Sequence, residues 1–249
     1  MKYILIGIIL FTCPIVRAQN PNRTPETIIN NLLKNEDLKK KDMYCGEMLK
    51  HYLNEPTLGQ LLPSYVTKTY RPLIKYDANA VYSVTIRNDN IITDWYFYLR
   101  KVKNKWKLEA VRTFALPEFF WSAIHELGIK AVRTPEEENQ YDNMRLTANC
   151  DSILKDYLKE NINSFEQIAS FHSADNAKEA LTLAKNLHLS SVIYFRLNRS
   201  IVNIIIGGIM DNEVGYLYVP DGIKPPEISP NDFIYVEYII GNWYIYRTT

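Results

Sequence analysis

Residues 91–113 read IITDWYFYLRKVKNKWKLEAVRT. Ile91 to Val102 is dense in β-branched and aromatic residues, Lys103-Asn104-Lys105 is a turn, and Trp106 to Thr113 resumes the strand pattern. Alternation along a strand puts Tyr96 and Tyr98 on one face, opposite Trp95 and Phe97. Just upstream, Ala80 to Arg87 has the same character, with Asn88-Asp89-Asn90 as the turn between them. These segments form an antiparallel meander of three strands.

Helices precede it. Thr24-Pro25-Glu26 is a helix start, with Thr24 as cap, Pro25 in the first turn and Glu26 at the positive end of the dipole. Ile28, Ile29, Leu32 and Leu33 then form one apolar stripe, which Lys39-Lys40-Lys41 ends. A second helix is expected from about Asp42 to Asn54, because Tyr44, Cys45, Met48, Leu49, Tyr52 and Leu53 recur with helical spacing. Pro56, Gly59 and Pro63 punctuate the approach to the strands. After the meander, Pro117 opens a short helix to about Leu127, with Gly128 as its stop.

The same phrase then returns. Thr134-Pro135-Glu136 repeats Thr24-Pro25-Glu26, and Leu146, Cys150, Ile153, Leu154, Tyr157 and Leu158 follow on one helical face. Further helices are expected at Ser164 to Phe171 and from an Asp175 cap to about Leu187. Strands follow at Ser191 to Leu197, Ile201 to Met210, Val214 to Val219, Phe233 to Ile240 and Trp243 to Thr248. The first half closes on Asn104-Lys105-Trp106 and Arg112-Thr113, the second on Gly241-Asn242-Trp243 and Arg247-Thr248. Each half reads as helices followed by a meander whose last strand opens on Trp. The expectation is an α+β protein of two tandem units, residues 19–133 and 134–249, with one continuous domain as the alternative.

Amphipathic helices before a curved meander, with Asn104-Lys105-Trp106 and Asn242-Trp243 at the last strands, resemble exported members of the NTF2-like (cystatin-like) superfamily. The resemblance covers roughly residues 24–113 and, more loosely, 140–248. It implies a sheet curled around a helix with a conical cavity, which members use for catalysis, for binding or for packing alone. No catalytic residue carries over, because no Asp–His–Tyr set of a known enzyme branch aligns.

The chain has 249 residues, 29 Lys and Arg, 28 Asp and Glu, 47% hydrophobic and 23% charged residues. That balance excludes a disordered tail and a generally basic nucleic-acid binder. The charge is divided, however: residues 19–134 hold 18 Lys and Arg against 12 Asp and Glu, and residues 135–249 hold 9 against 16. Such asymmetry can steer the halves together or give them differently charged surfaces.

Residues 1–18 read as a secretory signal peptide: Lys2, the apolar run Tyr3 to Phe11, then Val16-Arg17-Ala18 as the cleavage site. An uncleaved anchor and a lipoprotein acylated at Cys13 are the weaker alternatives. No later segment reaches membrane-span length. An exported chain, periplasmic or secreted, would keep Cys45 and Cys150, as one disulfide or as two buried thiols.

Chemistry-bearing motifs fail on inspection. His125-Glu126 lacks a second His at position 129, which is Ile129, so no zincin pair forms. His51, His172 and His188 have no partners at metal spacing, and no Gly-x-Ser-x-Gly elbow occurs. Cys45 and His51 are six apart, on different helix faces. Gly207-Gly208 lies in an apolar strand and reads as a bulge, and Glu136-Glu137-Glu138 suits a helix N-terminus. No metal or cofactor is expected.

The tyrosines remain. Tyr96 and Tyr98, Tyr216 and Tyr218, and Tyr244 and Tyr246 each share a strand face, and Tyr joins apolar area to a polar tip. The expectation is a non-enzymatic binding or accessory protein of the cell envelope. It would present these tyrosines to a protein, peptide or glycan, or simply use them to wall its core. A hydrolase or isomerase with a cone-shaped pocket and a structural spacer are the alternatives.

Overall fold

The computed structural model describes residues 24–34, 38–88, 91–173 and 176–249. The expected signal segment, Cys13, two residues of the 88–90 turn and the Asp175 cap lie outside these residues. The described chain is α+β, with two antiparallel sheets of four and five strands. None of its helices is long and apolar enough to cross a membrane.

Helix α1 (Pro25–Leu33) begins as its sequence dictates: the Thr24 hydroxyl accepts from the Thr27 amide at 3.3 Å, and Pro25 stands in the first turn. Its stripe of Ile28, Ile29, Leu32 and Leu33 is buried. The single helix expected over 42–54 is instead two short ones, α2 (Lys40–Met43) and α3 (Gly46–His51). Between them Tyr44 is extended and bridges Leu108, and Cys45 N donates to Leu108 O at 2.9 Å. Gly46 then restarts the helix at φ +52°, a left-handed conformation that favours glycine. Helix α4 (Leu58–Leu61) carries a reciprocal cap between Thr57 and Gln60.

The first sheet runs in the order β1 (Thr67–Lys75), β2 (Asn79–Asn88), β3 (Ile91–Val102), β4 (Lys105–Thr113). Strand β1 was not anticipated. It is a half-exposed edge strand broken in register at Pro72, a residue confined to sheet edges and bulges. The β3–β4 turn places Lys103 and Asn104 at φ 48° and 62°, matching the right-handed twist of the flanking strands.

Helix α5 (Glu118–Ile129) leads to α6 (Pro135–Thr147), α7 (Asp151–Glu160), α8 (Ile162–Ser173) and α9 (Ala177–Asn186). The second sheet comprises β5 (Ser191–Phe195), β6 (Asn198–Ile209), β7 (Asn212–Tyr218), β8 (Phe233–Ile240) and β9 (Trp243–Thr248). Its order is β5-β6-β7-β9-β8, so it is not the plain meander expected. The proline-rich segment 219–232 carries the chain past one strand position, and β9 returns into the gap. Gly207 sits at the expected bulge, where a Cβ would lie 2.3 Å from Thr147 Oγ1, so α6 packs directly on its backbone.

Both faces of the first sheet are interior. Tyr82, Val84, Phe97, Leu99 and Leu108 pack under α1–α4. On the opposite face Val81, Tyr96, Tyr98 and Ala110 join one core with Leu154, Phe165, Tyr216 and Trp243 of the second half. That shared core contains a buried polar cluster. Asp151 Oδ1 accepts from Arg247 Nε at 2.9 Å and from the Tyr96 hydroxyl at 2.9 Å. The Asp151 amide donates to Asp94 Oδ2 at 2.7 Å, and Arg247 Nη2 donates to Asn149 O at 2.6 Å. Asp151 and Arg247 are 2% and 3% exposed. Around this centre, Arg71 makes a bidentate pair with Glu237 at 2.7 and 2.6 Å, and Tyr98 donates to Ile234 O at 2.6 Å.

Of the two readings of the cysteines, one disulfide or two buried thiols, the structure has the second. Cys45 and Cys150 are separate, free, buried thiols. Cys45 Sγ lies against Lys107 O beside β4, and Cys150 Sγ lies 3.3 Å from Ser152 Oγ at the start of α7. Burial is the main cause that holds the Cys45 thiol above its usual range. Peptide mapping after alkylation of unreduced, denatured protein will therefore label both cysteines, and native protein will label Cys45 slowly. A recovered Cys45–Cys150 cross-linked peptide would contradict the fold.

Removing one partner of a buried ion pair leaves the other charge unpaired, at a cost of about 3–5 kcal/mol. Asp151→Ala or Arg247→Leu will lower the unfolding free energy by that order in urea titrations. Asp151→Leu with Arg247→Met will recover much of the loss, and both halves will unfold in one transition.

Burial pushes the Asp151 carboxyl up to about 6, against the pull of Arg247. The native state then holds this proton more tightly than the unfolded state. Its contribution is full below the ordinary carboxyl range and is lost as pH rises through about 6. Burial also pushes Glu26 upward, but hydrogen bonds from Lys75 and Tyr82 prevail and hold it at about 2. Glu26 therefore contributes above its unfolded value, and that contribution is lost in strong acid. The stability deficit of Asp151→Asn will be larger at pH 5 than at pH 7.5. A deficit independent of pH would show that Asp151 stays ionised throughout.

Candidate functional site

The tyrosines keep the expected alternation, but most do not form a surface. Tyr96, Tyr98, Tyr216 and Tyr246 are buried. Each hydroxyl is used inside: Tyr96 on Asp151, Tyr98 on Ile234 O, Tyr216 on Leu154 O at 2.7 Å, and Tyr246 on Glu213. Tyr218 and Tyr244 are half-buried, with ring edges against Trp243 and Tyr238. Of the two readings, a ligand-facing surface or a wall of the core, Tyr96, Tyr98, Tyr216 and Tyr246 follow the second, and Tyr218 and Tyr244 are half-buried. A strand buried on both faces still needs large side chains, and Tyr fills that space while its hydroxyl finds an acceptor.

The polar motifs fall where local physics puts them. Glu137 forms a reciprocal cap with Thr134, and Glu138 pairs with Arg133, so the acidic run serves the start of α6. His125 is exposed on α5, and His188 Nδ1 lies 3.0 Å from Asn139 Oδ1. The His172 side chain lies outside the described residues. Among the described residues, no cluster of three or more His, Cys, Asp or Glu side chains is placed to hold a metal ion.

A space of about 490 Å³ opens between the first sheet and its helical cover. Leu32 of α1, Met48 of α3 and Leu58 of α4 form one wall, and Trp95, Phe97, Leu108 and Val111 of β3 and β4 form the other. The space lies beside the break at Tyr44–Gly46, where two short helices stand in place of one long amphipathic helix. A larger cleft of about 650 Å³ lies on the surface by α5, where Trp121 and Ile153 stay exposed.

Tyr44 gives the smaller cavity its polar feature. The residue is 2% exposed and lines the cavity, and among the described residues its hydroxyl makes no hydrogen bond. Burial raises its pKa, so it remains a neutral donor. The Thr57 hydroxyl is already committed to capping α4. His51 and Glu55 line the wall but are exposed side chains. Nearby, Arg112 pairs with Glu47 at 2.9 and 2.6 Å and donates to Pro230 O at 2.7 Å, tying α3 and β4 to the second half. This arrangement can enclose an apolar body and donate one hydrogen bond to it.

The sequence places Tyr44, Met48 and Tyr52 on the buried face of one helix and Trp95 and Phe97 on one strand face, and it does not signal a cavity between them. It did not single out Tyr44. The signal available was Gly46, a helix breaker within the stripe. Comparison of the chain with protein-family models, curated proteins and solved structures finds no match to any of them.

Proposed function

We propose that this chain is an exported, non-enzymatic binding protein of the cell envelope, built from two NTF2-like units. The ligand is a small, largely apolar molecule with one hydrogen-bond acceptor. Helices ahead of an antiparallel sheet in each half, and Trp106 and Trp243 at the starts of β4 and β9, support the NTF2-like reading. The signal-like pattern of residues 1–18 supports export.

One observation carries the ligand reading: an apolar cavity of about 490 Å³ whose wall holds the Tyr44 hydroxyl, which makes no hydrogen bond among the described residues. That volume falls within the range of small-molecule pockets, roughly 300–1,000 Å³. At about 30 Å³ per water-sized group it accommodates on the order of fifteen heavy atoms. Aromatic and thioether side chains at Trp95, Phe97 and Met48 supply the contact surface.

Binding of the neutral apolar dye N-phenyl-1-naphthylamine tests this, followed by displacement with decane and 2-decanone. The dye will bind with a rise in fluorescence, and Leu58→Trp, which fills the cavity, will abolish the rise. Tyr44→Phe will weaken 2-decanone by about twofold to tenfold, the worth of one neutral hydrogen bond, and leave decane unchanged. Undiminished dye binding by Leu58→Trp would remove the cavity as the site.

A further inference from the structure

The second sheet carries another open pocket on its outer face, away from α6–α9. It measures about 230 Å³ and is lined by Phe195, Asn203, Glu213, Phe233 and Tyr246. Asn203 is 5% exposed, and its Oδ1 is a buried oxygen without a hydrogen-bond partner. Its amide group serves the Tyr246 hydroxyl, which donates in turn to Glu213. A buried acceptor left without a partner costs about 1–3 kcal/mol. An apolar residue at this strand position would carry no such cost, so the unpaired carbonyl points to a partner that enters from outside and that it meets by a small turn of the Asn203 side chain toward the space.

The donors and acceptors specify that partner. Besides the Asn203 carbonyl, Glu213 Oε2 has no hydrogen bond among the described residues. Asp211 and Asp232 stand at the rim, and Arg196 is held by Asp232 at 2.7 Å. Three carboxylates against one guanidinium disfavour an anion. A metal ion lacks its ligand cluster among the described residues. An ammonium group has three N–H donors for these separate acceptors. An alkyl stem fits against Phe195 and Phe233, whose ring faces also favour a cation. At about 30 Å³ per group the space takes on the order of eight heavy atoms.

We propose that this cavity binds a small primary alkylammonium of about five or six carbons, held by Glu213 and the Asn203 carbonyl. The site is separate from the cavity at Tyr44, and neither reading depends on the other.

Isothermal titration of the full chain with 1,5-diaminopentane, pentylamine, 1-pentanol and pentanoate decides the matter. Both amines will bind, more weakly as salt rises, and the alcohol and the carboxylate will bind at least about tenfold less tightly. Glu213→Gln will weaken the amines by about tenfold to a hundredfold, the loss of one charge-assisted hydrogen bond. Asn203→Leu will weaken them as well, and Leu58→Trp in the other cavity will leave them unchanged. Should Glu213→Gln lose its native circular dichroism, the Asn203→Leu and ligand-series results stand alone. Absence of amine binding, equal binding of pentylamine and pentanol, or wild-type amine affinity in a folded Glu213→Gln or Asn203→Leu variant would overturn the proposal.

Discussion

Asp151 and Arg247 meet where water does not reach, and the placement of nearly every other element follows from their meeting. Asp151 is the first residue of α7, and its amide is captured by Asp94 of β3 while its carboxylate holds Arg247 of β9 and Tyr96 of β3. One residue thus ties a helix to both sheets. With α7 fixed, Leu154 and Leu158 enter the shared core, and the Leu154 carbonyl receives the Tyr216 hydroxyl. Two desolvated charges are costly unless every lone pair and proton has a partner. The cluster answers much of that cost with Thr85 on Asp94, Asn149 O on Arg247, and the Phe114 ring 4.7 Å from the guanidinium. A sliding of one sheet on the other would break several of these bonds together, so the geometry is specified as well as held.

The divided charge of the sequence takes a concrete form at this junction. The basic first half supplies Arg71 and Arg112, and the acidic second half supplies Glu237 and the Pro230 carbonyl. Lys155 of the second half also reaches Glu237, at 3.0 Å. These contacts are less buried than Asp151–Arg247 and contribute less per pair in solvent. Their arrangement around the buried centre sets orientation.

Much of this was legible. The period of two in DWYFYL correctly separates Tyr96 and Tyr98 from Trp95 and Phe97, and both Thr-Pro-Glu helix starts form as read. What the alternation hid is that neither face meets solvent. A run that is apolar at every position signals burial on both sides, and the hydroxyls of Tyr96 and Tyr98 made one side look polar. Strand β1 was hidden by Pro72 and its basic residues, which fit an edge. The order β7-β9-β8 was hidden because strand pairing depends on contacts distant in sequence, and equal-looking segments do not announce their neighbours. The Tyr44 cavity was hidden for a related reason. A void is set by where side chains from α1, α3, α4, β3 and β4 fail to meet, and no local pattern encodes that.

The two cavities occupy the places that this construction leaves free. The first sheet commits most of one face to the second half, with the surface cleft by α5 at its Ile92 end, and the cavity at Tyr44 arises where α1–α4 cover the other face incompletely. The second sheet commits its inner face to α6–α9, and its outer face is covered by a smaller cluster around Phe195, Leu217 and Phe233. Packing in a dense core transmits strain, so a void within the Asp151–Arg247 contacts would weaken what places both sheets, and the cleft at Asn149, Cys150 and Ile153 stops at the surface beside them. At the periphery the same void removes only local contacts. Tyr44 and Asn203 lie outside the central cluster: among the described residues the Tyr44 hydroxyl makes no hydrogen bond, and the buried Asn203 Oδ1 has no partner. Ser83 Oγ, opposite Tyr96, is also buried without a partner among the described residues but lines neither cavity; at the two outer walls an unpaired oxygen stands beside open space and is available for recognition.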